Sequence, residues 1–248
     1  PYVRTVGDVC YRYRVGAFRL LLVVERQRFR CALVCNSVLS AKCTGGDARS
    51  AGRGDEIVGQ GRTNSERQID MSEEEATACT AEVTQTSHQH HGKPPAGWLA
   101  PYICQTIRSL ELLKSSGYRY MMDWPIDDQP ICFATRHGPI LSIPYSHDLN
   151  DSIECVSRRT PSGILCENLI DQFDEMLDES RKRPLVMSIV LHSFVLGQPY
   201  RLRQFRKVIE HIVQHRDEVW LTTPGGIAEH IETLAPGTVP GDEGWSKR

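Results

Sequence analysis

Apolar residues along this chain follow two rhythms. In some stretches they recur every three or four positions, as on one face of a helix; in others they form short unbroken runs, as in a strand covered on both faces. Residues 15–28 carry Val15, Phe18 and Leu22 at helical spacing, with Arg and Glu between them, and residues 30–36 then read as a short buried strand. Residues 42–54 are rich in Gly and Arg and poor in apolar side chains, a weak stretch where a helix would be expected. Residues 56–59 read as a second strand that ends in the turn Gly59-Gln60-Gly61. The clearest helix covers residues 70–91. Ser72 and Glu75 have capping-box spacing, Glu73, Glu74 and Glu75 suit the positive end of the helix dipole, and Gly92 with Pro94 and Pro95 stops it. A short strand at 96–100, a helix at 106–116 ended by Gly117, and a strand at 118–124 follow. Residues 131–144 read as an irregular β excursion turning at His137-Gly138-Pro139. Residues 161–180 place Leu165, Leu169, Phe173 and Leu177 on one helical face. Beyond it the pattern predicts an apolar strand at 185–191, a helix at 202–215, a strand at 219–222 and a last helix at 227–234.

Alternating strands and helices, with strands that are apolar throughout, predict an α/β fold in which helices cover a parallel sheet. Six or seven such units without a linker-like interruption fit one distorted (β/α) barrel domain over residues 1–234, followed by a flexible tail at 235–248. In such a barrel the chemistry gathers at the C-terminal ends of the strands. That rule points to Gln60, Pro101, Trp124 and His192, each just beyond a predicted strand.

Bulk properties narrow the partners. With 248 residues and a formal net charge of −2, the chain has length for a substantial core and no global field to recruit nucleic acid or an anionic membrane. No apolar run is long enough to span a bilayer, and the apolar stretch at residues 20–24, flanked by arginines, lacks a secretory cleavage pattern. A cytoplasmic protein is expected, one that could form a homo-oligomer. The nine cysteines are odd in number and contain no Cys-x-x-Cys pair, so zinc-ribbon and thioredoxin readings lack support.

Five segments, in order, carry a resemblance. They are Gly59-Gln60-Gly61-Arg62-Thr63-Asn64-Ser65-Glu66, Gly97-Trp98-Leu99-Ala100-Pro101-Tyr102, Asp123-Trp124-Pro125-Ile126-Asp127-Asp128-Gln129-Pro130, Ile143-Pro144-Tyr145-Ser146-His147-Asp148-Leu149-Asn150-Asp151, and Leu191-His192-Ser193-Phe194-Val195-Leu196-Gly197-Gln198-Pro199. Together they resemble the polysaccharide deacetylase, or NodB-homology, superfamily, and within it the allantoinase-like branch. The resemblance implies a distorted barrel and hydrolysis of a carbon–nitrogen bond. Typical members of the superfamily hold a divalent metal with one Asp and two His, and use an Asp base and a His acid. The allantoinase-like branch manages without that metal set.

The sequence also departs from the pattern. The motif carrying the family's early acidic residues has no match, which suggests an N-terminally incomplete domain lacking its first strand. Gln60 stands at the position of the first metal-binding His, Asn64 at that of the second, and Leu99 where an Arg is usual. Carboxamides are poor ligands for zinc-like ions, so no metal and no cofactor are expected at the family site.

Metal-free amide hydrolysis needs an activated water, a stabilised oxyanion and a protonated leaving nitrogen. His192 is the candidate acid, since imidazole titrates near neutrality; the alternative is a His capping a strand. Asp123, Asp127 and Asp128 lie within six residues, and mutual repulsion could raise one of them into a general base; Asp123 and Asp128 are the candidates, against a solvated acidic loop. Gln60 and Asn64 could donate to a substrate carbonyl or merely shape a turn. Trp124, Pro101 and Tyr102 would wall the pocket, and Arg201, with Arg203, could pair with an anionic group. Glu66, His147, Asn150 and Asp151 are weaker candidates. The trio His88, His90 and His91 suits the negative end of a helix better than a metal. With these residues in those roles, the resemblance implies a hydrolase acting on a small polar molecule, a ureide or an N-acetylated sugar. The rivals are a degenerate, non-catalytic relative and a small-molecule-binding module using the same pocket.

Overall fold

The computed structural model describes residues 11–42 and 52–242. Its helices are α1 (Ala17–Arg26), α2 (Ser37–Lys42), α3 (Glu73–His91), α4 (Ile107–Ser115), α5 (Ser162–Glu179), α6 (Pro199–Gln214) and α7 (Pro224–Ile231). Its strands are β1 (Ala32–Cys35), β2 (Glu56–Gly59), β3 (Gly97–Trp98), β4 (Tyr120–Met121), β5 (Ile131–Phe133) and β6 (Ile140–Ser142). Most of the Gly- and Arg-rich stretch at 42–54 lies outside the described residues. The chain divides into two compact units, Pro1–Phe29 with Tyr145–Leu221 and Arg30–Pro144 with Thr222–Arg248.

The second unit holds all six named strands, in the order β1-β2-β3-β4-β6-β5. Neighbours pair in parallel from β1 to β6, and β5 runs antiparallel to β6. The irregular excursion expected at 131–144 is therefore a hairpin on the end of a parallel sheet. Trp98, Tyr118, Met121, Ile140, Val83 and Leu113 make the core of this unit, with Trp98 and Tyr118 packed edge to face at 5.3 Å. The capping box of α3 forms as the sequence predicts: Ser72 Oγ accepts the Glu75 N–H and the Glu75 carboxylate accepts the Ser72 N–H. Gly92 closes that helix in the left-handed conformation. Further along, the Cys132 N–H donates to the Pro240 carbonyl and Val239 is buried, so residues 235–242 lie against the hairpin.

The first unit is helical. Leu20 and Val23 of α1, Leu165, Leu169 and Phe173 of α5, and Leu202, Phe205, Val208 and Ile209 of α6 form its core. The buried face of α1 differs from the one its spacing suggests. Leu20, Val23 and Val24 are inside, whereas Phe18 and Leu22 are exposed. Leu20, Val23 and Val24 share an arc of α1 that carries no charged side chain, whereas Phe18 and Leu22 fall on the arc with Arg19, Glu25 and Arg26, so the helix buries its uncharged face. The strands expected at 185–191 and 219–222 do not form ladders. Of the first, Val190 alone bridges, in parallel, to Asn150. A continuous apolar run marks burial rather than hydrogen-bond pairing, which explains the overreach. No described helix is long and apolar enough to cross a membrane.

Candidate active site

Two polar clusters stand out, one in each unit. In the first unit the Asn150–Val190 bridge sets two backbone segments side by side, so that the residues just after each meet. Asp151 follows Asn150, is fully buried, and receives His192 twice: one carboxylate oxygen accepts the His192 main-chain N–H at 2.8 Å and the other lies 2.6 Å from Nδ1. A carboxylate can only accept, so this geometry places the ring proton on Nδ1 and leaves Nε2 as the nitrogen that exchanges a proton. The His192 side chain is 35% exposed, open enough to reach a ligand. Its ring also sits edge-on to Phe194 at 5.7 Å, and its carbonyl accepts the N–H groups of Val195 and Leu196, which winds the following turn. Asn150 supports the other side, its side-chain oxygen accepting the Ser152 and Ile153 N–H groups. The His is thus oriented by a buried acid, an arrangement the sequence does not announce. The signal available was Asn150-Asp151 in a loop motif, where a turn role is equally plausible.

The second cluster lies along the C-terminal ends of the parallel strands. Asp123, just after β4, is buried, and both its oxygens are engaged: one accepts the Ala100 N–H and the other the Gln105 side-chain N–H, each at 2.7 Å. Gln105 in turn accepts the Trp124 indole N–H at 3.0 Å. Burial pushes the Asp123 carboxyl well above its ordinary value, opposed by the Ala100 N–H. Desolvation, rather than repulsion among three aspartates, is the cause. Asp127 and Asp128 are exposed, and Asp127 accepts the N–H of Gln129 in a turn. Trp124 is half-buried and packs against Phe133 at 6.0 Å.

Other expected site residues are placed as follows. Gln60, after β2, is half-buried and its carboxamide has no hydrogen-bonding partner among the described residues. Asn64 is exposed, and its oxygen accepts from Asn36 at 3.1 Å. Glu66 is committed to Arg62 at 2.8 Å and to the Thr63 hydroxyl. Pro101 is buried and Tyr102 is 70% exposed. Tyr102 and Ile103 both adopt left-handed backbone, with φ of 59° and 56°. For a β-branched residue such as Ile103 that conformation is strained, by roughly 1–3 kcal/mol, and strain of this kind gathers at ligand-binding turns. In the first unit the Arg201 guanidinium lies over the Tyr200 ring at 5.3 Å, Arg203 is exposed on α6, and His147 is exposed. Sequence reasoning missed Gln105, the link between Asp123 and Trp124; a polar residue between two predicted elements carries no distinctive pattern.

The residues at the position where the motif resemblance would place a metal do not fit a zinc-like ion. Gln60 and Asn64 offer neutral amides, and the Asn64 oxygen is already taken up by Asn36.

No protein-family model matches the chain. A curated protein from Schizosaccharomyces pombe, named "Putative polysaccharide deacetylase", is 27% identical over 139 residues, 51% of this chain. The match spans 42% of that relative's length. Among solved structures, Puue allantoinase matches with a TM-score of 0.88 at 24% identity, over 96% of this chain and 78% of that one. A "probable Polysaccharide deacetylase" from Pseudomonas aeruginosa PAO1 matches at 0.86 and 24% identity, over 95% and 78%. The resemblance carried by the ordered motifs therefore holds at the level of architecture: this chain has the α/β fold shared by the polysaccharide deacetylases and Puue allantoinase.

Proposed function

We propose that this chain hydrolyses a non-peptide carbon–nitrogen bond in a small polar molecule, a ureide or an N-acetylated sugar, with His192 as the proton donor to the leaving nitrogen. The observation that carries the reading is the double hold of buried Asp151 on His192, at 2.6 and 2.8 Å. Holding Nδ1–H on Asp151 fixes the ring and leaves Nε2 as the atom facing a leaving nitrogen, to which it hands the proton. Asp123 acts as a positioning residue rather than a base, because both its oxygens are occupied and the group is shut from solvent. It holds the main chain at Ala100 and, through Gln105, the indole of Trp124. Within the second unit, the strained Pro101-Tyr102-Ile103 turn, the carboxamide of Gln60 and Asn64 are proposed ligand contacts in their own right. Arg201 is the proposed contact for an anionic group. Asp128 is exposed, and nothing in its surroundings singles it out as a water activator. The comparisons support the reaction class through what the relatives are named for, a polysaccharide deacetylase and an allantoinase.

Turnover assays with allantoin and with N-acetylated oligosaccharides test the reading. Hydrolysis of one of them, reduced about 10²–10⁴-fold in His192→Ala, is expected; an unchanged rate in that variant removes the proposed acid. A second reading, a binding-only relative, is favoured by Gln60 and Asn64 standing where metal-binding histidines would be. It predicts a ligand-induced rise in melting temperature with no turnover.

A further inference from the structure

A cluster outside the candidate site assembles the donors of a divalent metal centre. His211 lies in the last turn of α6, and His215 is the residue that caps its C-terminal end one turn further on. Asp174 of α5 reaches the pair from the neighbouring helix, and one potential ligand atom from each of the three lies within 4.8 Å of the others. The geometry points to a binding site for a Zn²⁺-class ion, held by Asp174, His211 and His215, that bridges α5 and α6.

Donor type, spacing and support agree. Two imidazoles and a carboxylate are the set that zinc takes in three-ligand sites, with the fourth position left to water. Ligand atoms about 2.0–2.1 Å from a tetrahedral ion stand roughly 3.3 Å apart. The His211 Nε2 and Asp174 Oδ1 atoms are 2.6 Å apart, at hydrogen-bonding distance. To hold an ion between them, the pair must open by several tenths of an ångström. Asp174 can do this, since its side chain is 51% exposed. His215 is supported from behind: its Nδ1 lies 2.8 Å from a Glu218 oxygen. A Glu218 acceptor on Nδ1 frees Nε2 for a metal and fixes the ring, the outer-shell arrangement common to metal-binding histidines. Phe173, buried in the core, packs against both rings at 5.8 and 5.7 Å, which limits their swing and walls one side with apolar surface. The two rings are 5.4 Å apart at their centroids.

The sequence offers this site only weakly. His211 and His215 show helical i, i+4 spacing, but Asp174 is 37 residues away and no motif links them. The more conspicuous trio His88, His90 and His91 lies on a single helix, and among the described residues it forms no group able to hold an ion; His91 lies 3.3 Å from the Ser40 hydroxyl.

Titration of the full chain with zinc sulfate and, separately, cobalt chloride tests the site. One equivalent should bind, and Co²⁺ should give the visible absorption of a four-coordinate ion with nitrogen and oxygen ligands. Free Zn²⁺ at a hundredfold excess over its Kd should raise the melting temperature by about 5 °C or more. His211→Ala and His215→Ala should each weaken binding at least tenfold, and Asp174→Asn, which keeps the shape of the side chain, should weaken it as well. No binding by a wild-type chain of native circular dichroism overturns the proposal. So does full retention of the ion by folded His211→Ala/His215→Ala, which would put it on other residues.

Discussion

Asp151 and Asp123 are both buried carboxylates, yet they are put to opposite uses. Asp151 spends its oxygens on one residue, His192, whose ring remains partly open to solvent. Asp123 spends its oxygens on a main-chain amide and a carboxamide, and the tip of its network is the indole of Trp124. The first partner can carry a full positive charge; those of the second cannot. A carboxylate facing a titratable imidazole can drive proton movement, whereas one facing fixed neutral donors can only hold geometry. Burial alone is therefore a poor guide to a catalytic acid or base. The protonation chemistry of the partner decides.

That contrast can be broken most sharply at Asp151. Asp151→Asn keeps the shape but presents an amide N–H to one of the two His192 donors, and should lower turnover about 10²–10⁴-fold, close to the loss in His192→Ala. Steady-state kinetics on the responsive substrate measure it, and a change in KM alone would speak against a role in proton transfer. Asp123→Ala should act on stability instead. It orphans the Ala100 N–H and the Gln105 amide, at a net cost of about 2–4 kcal/mol read by urea unfolding. Asp123→Asn addresses the charge. A carboxyl whose folded value is raised by burial favours the folded state while protonated, and that contribution fades as pH rises from the unfolded value near 3.8 through the raised folded one. Wild-type stability should thus carry a downward component above pH 4 that Asp123→Asn lacks, measurable as a difference in the pH dependence of melting temperature. The smallest effect is expected for Trp124→Phe. It leaves the Gln105 side-chain oxygen without its indole donor and should cost about 1 kcal/mol or less, because the half-buried site admits water.

Much of the fold was legible because its signals are local. The capping box at Ser72, the stop at Gly92 and the apolar face of α5 depend on residues within a turn or two of each other, and each forms as read. Continuous apolar runs were less informative. Residues 120–121 and 140–142 pair into the sheet, while the equally apolar run at 185–191 makes a single bridge. Pairing depends on what lies alongside, and one chain segment cannot encode that by itself. The site shows the same division. His192, Asp123 and Trp124 could be picked out as chemically able residues after predicted strands. What each is tied to could not, because Asp151 meets His192 across 41 residues and Gln105 meets Asp123 across 18. The aspartate cluster misled for a related reason: residues four or five apart in a turn need not face each other, and Asp127 and Asp128 are exposed where Asp123 is buried.

Nitrogen-15 NMR of histidine-labelled protein, with the His192 signals assigned by their loss in His192→Gln, tests the role of Asp151 most directly. The neutral ring should show a protonated Nδ1 and a bare Nε2, and Asp151→Asn should abolish that preference. A ring protonated on Nε2, or an equal mixture of the two tautomers unaffected by Asp151→Asn, would contradict it.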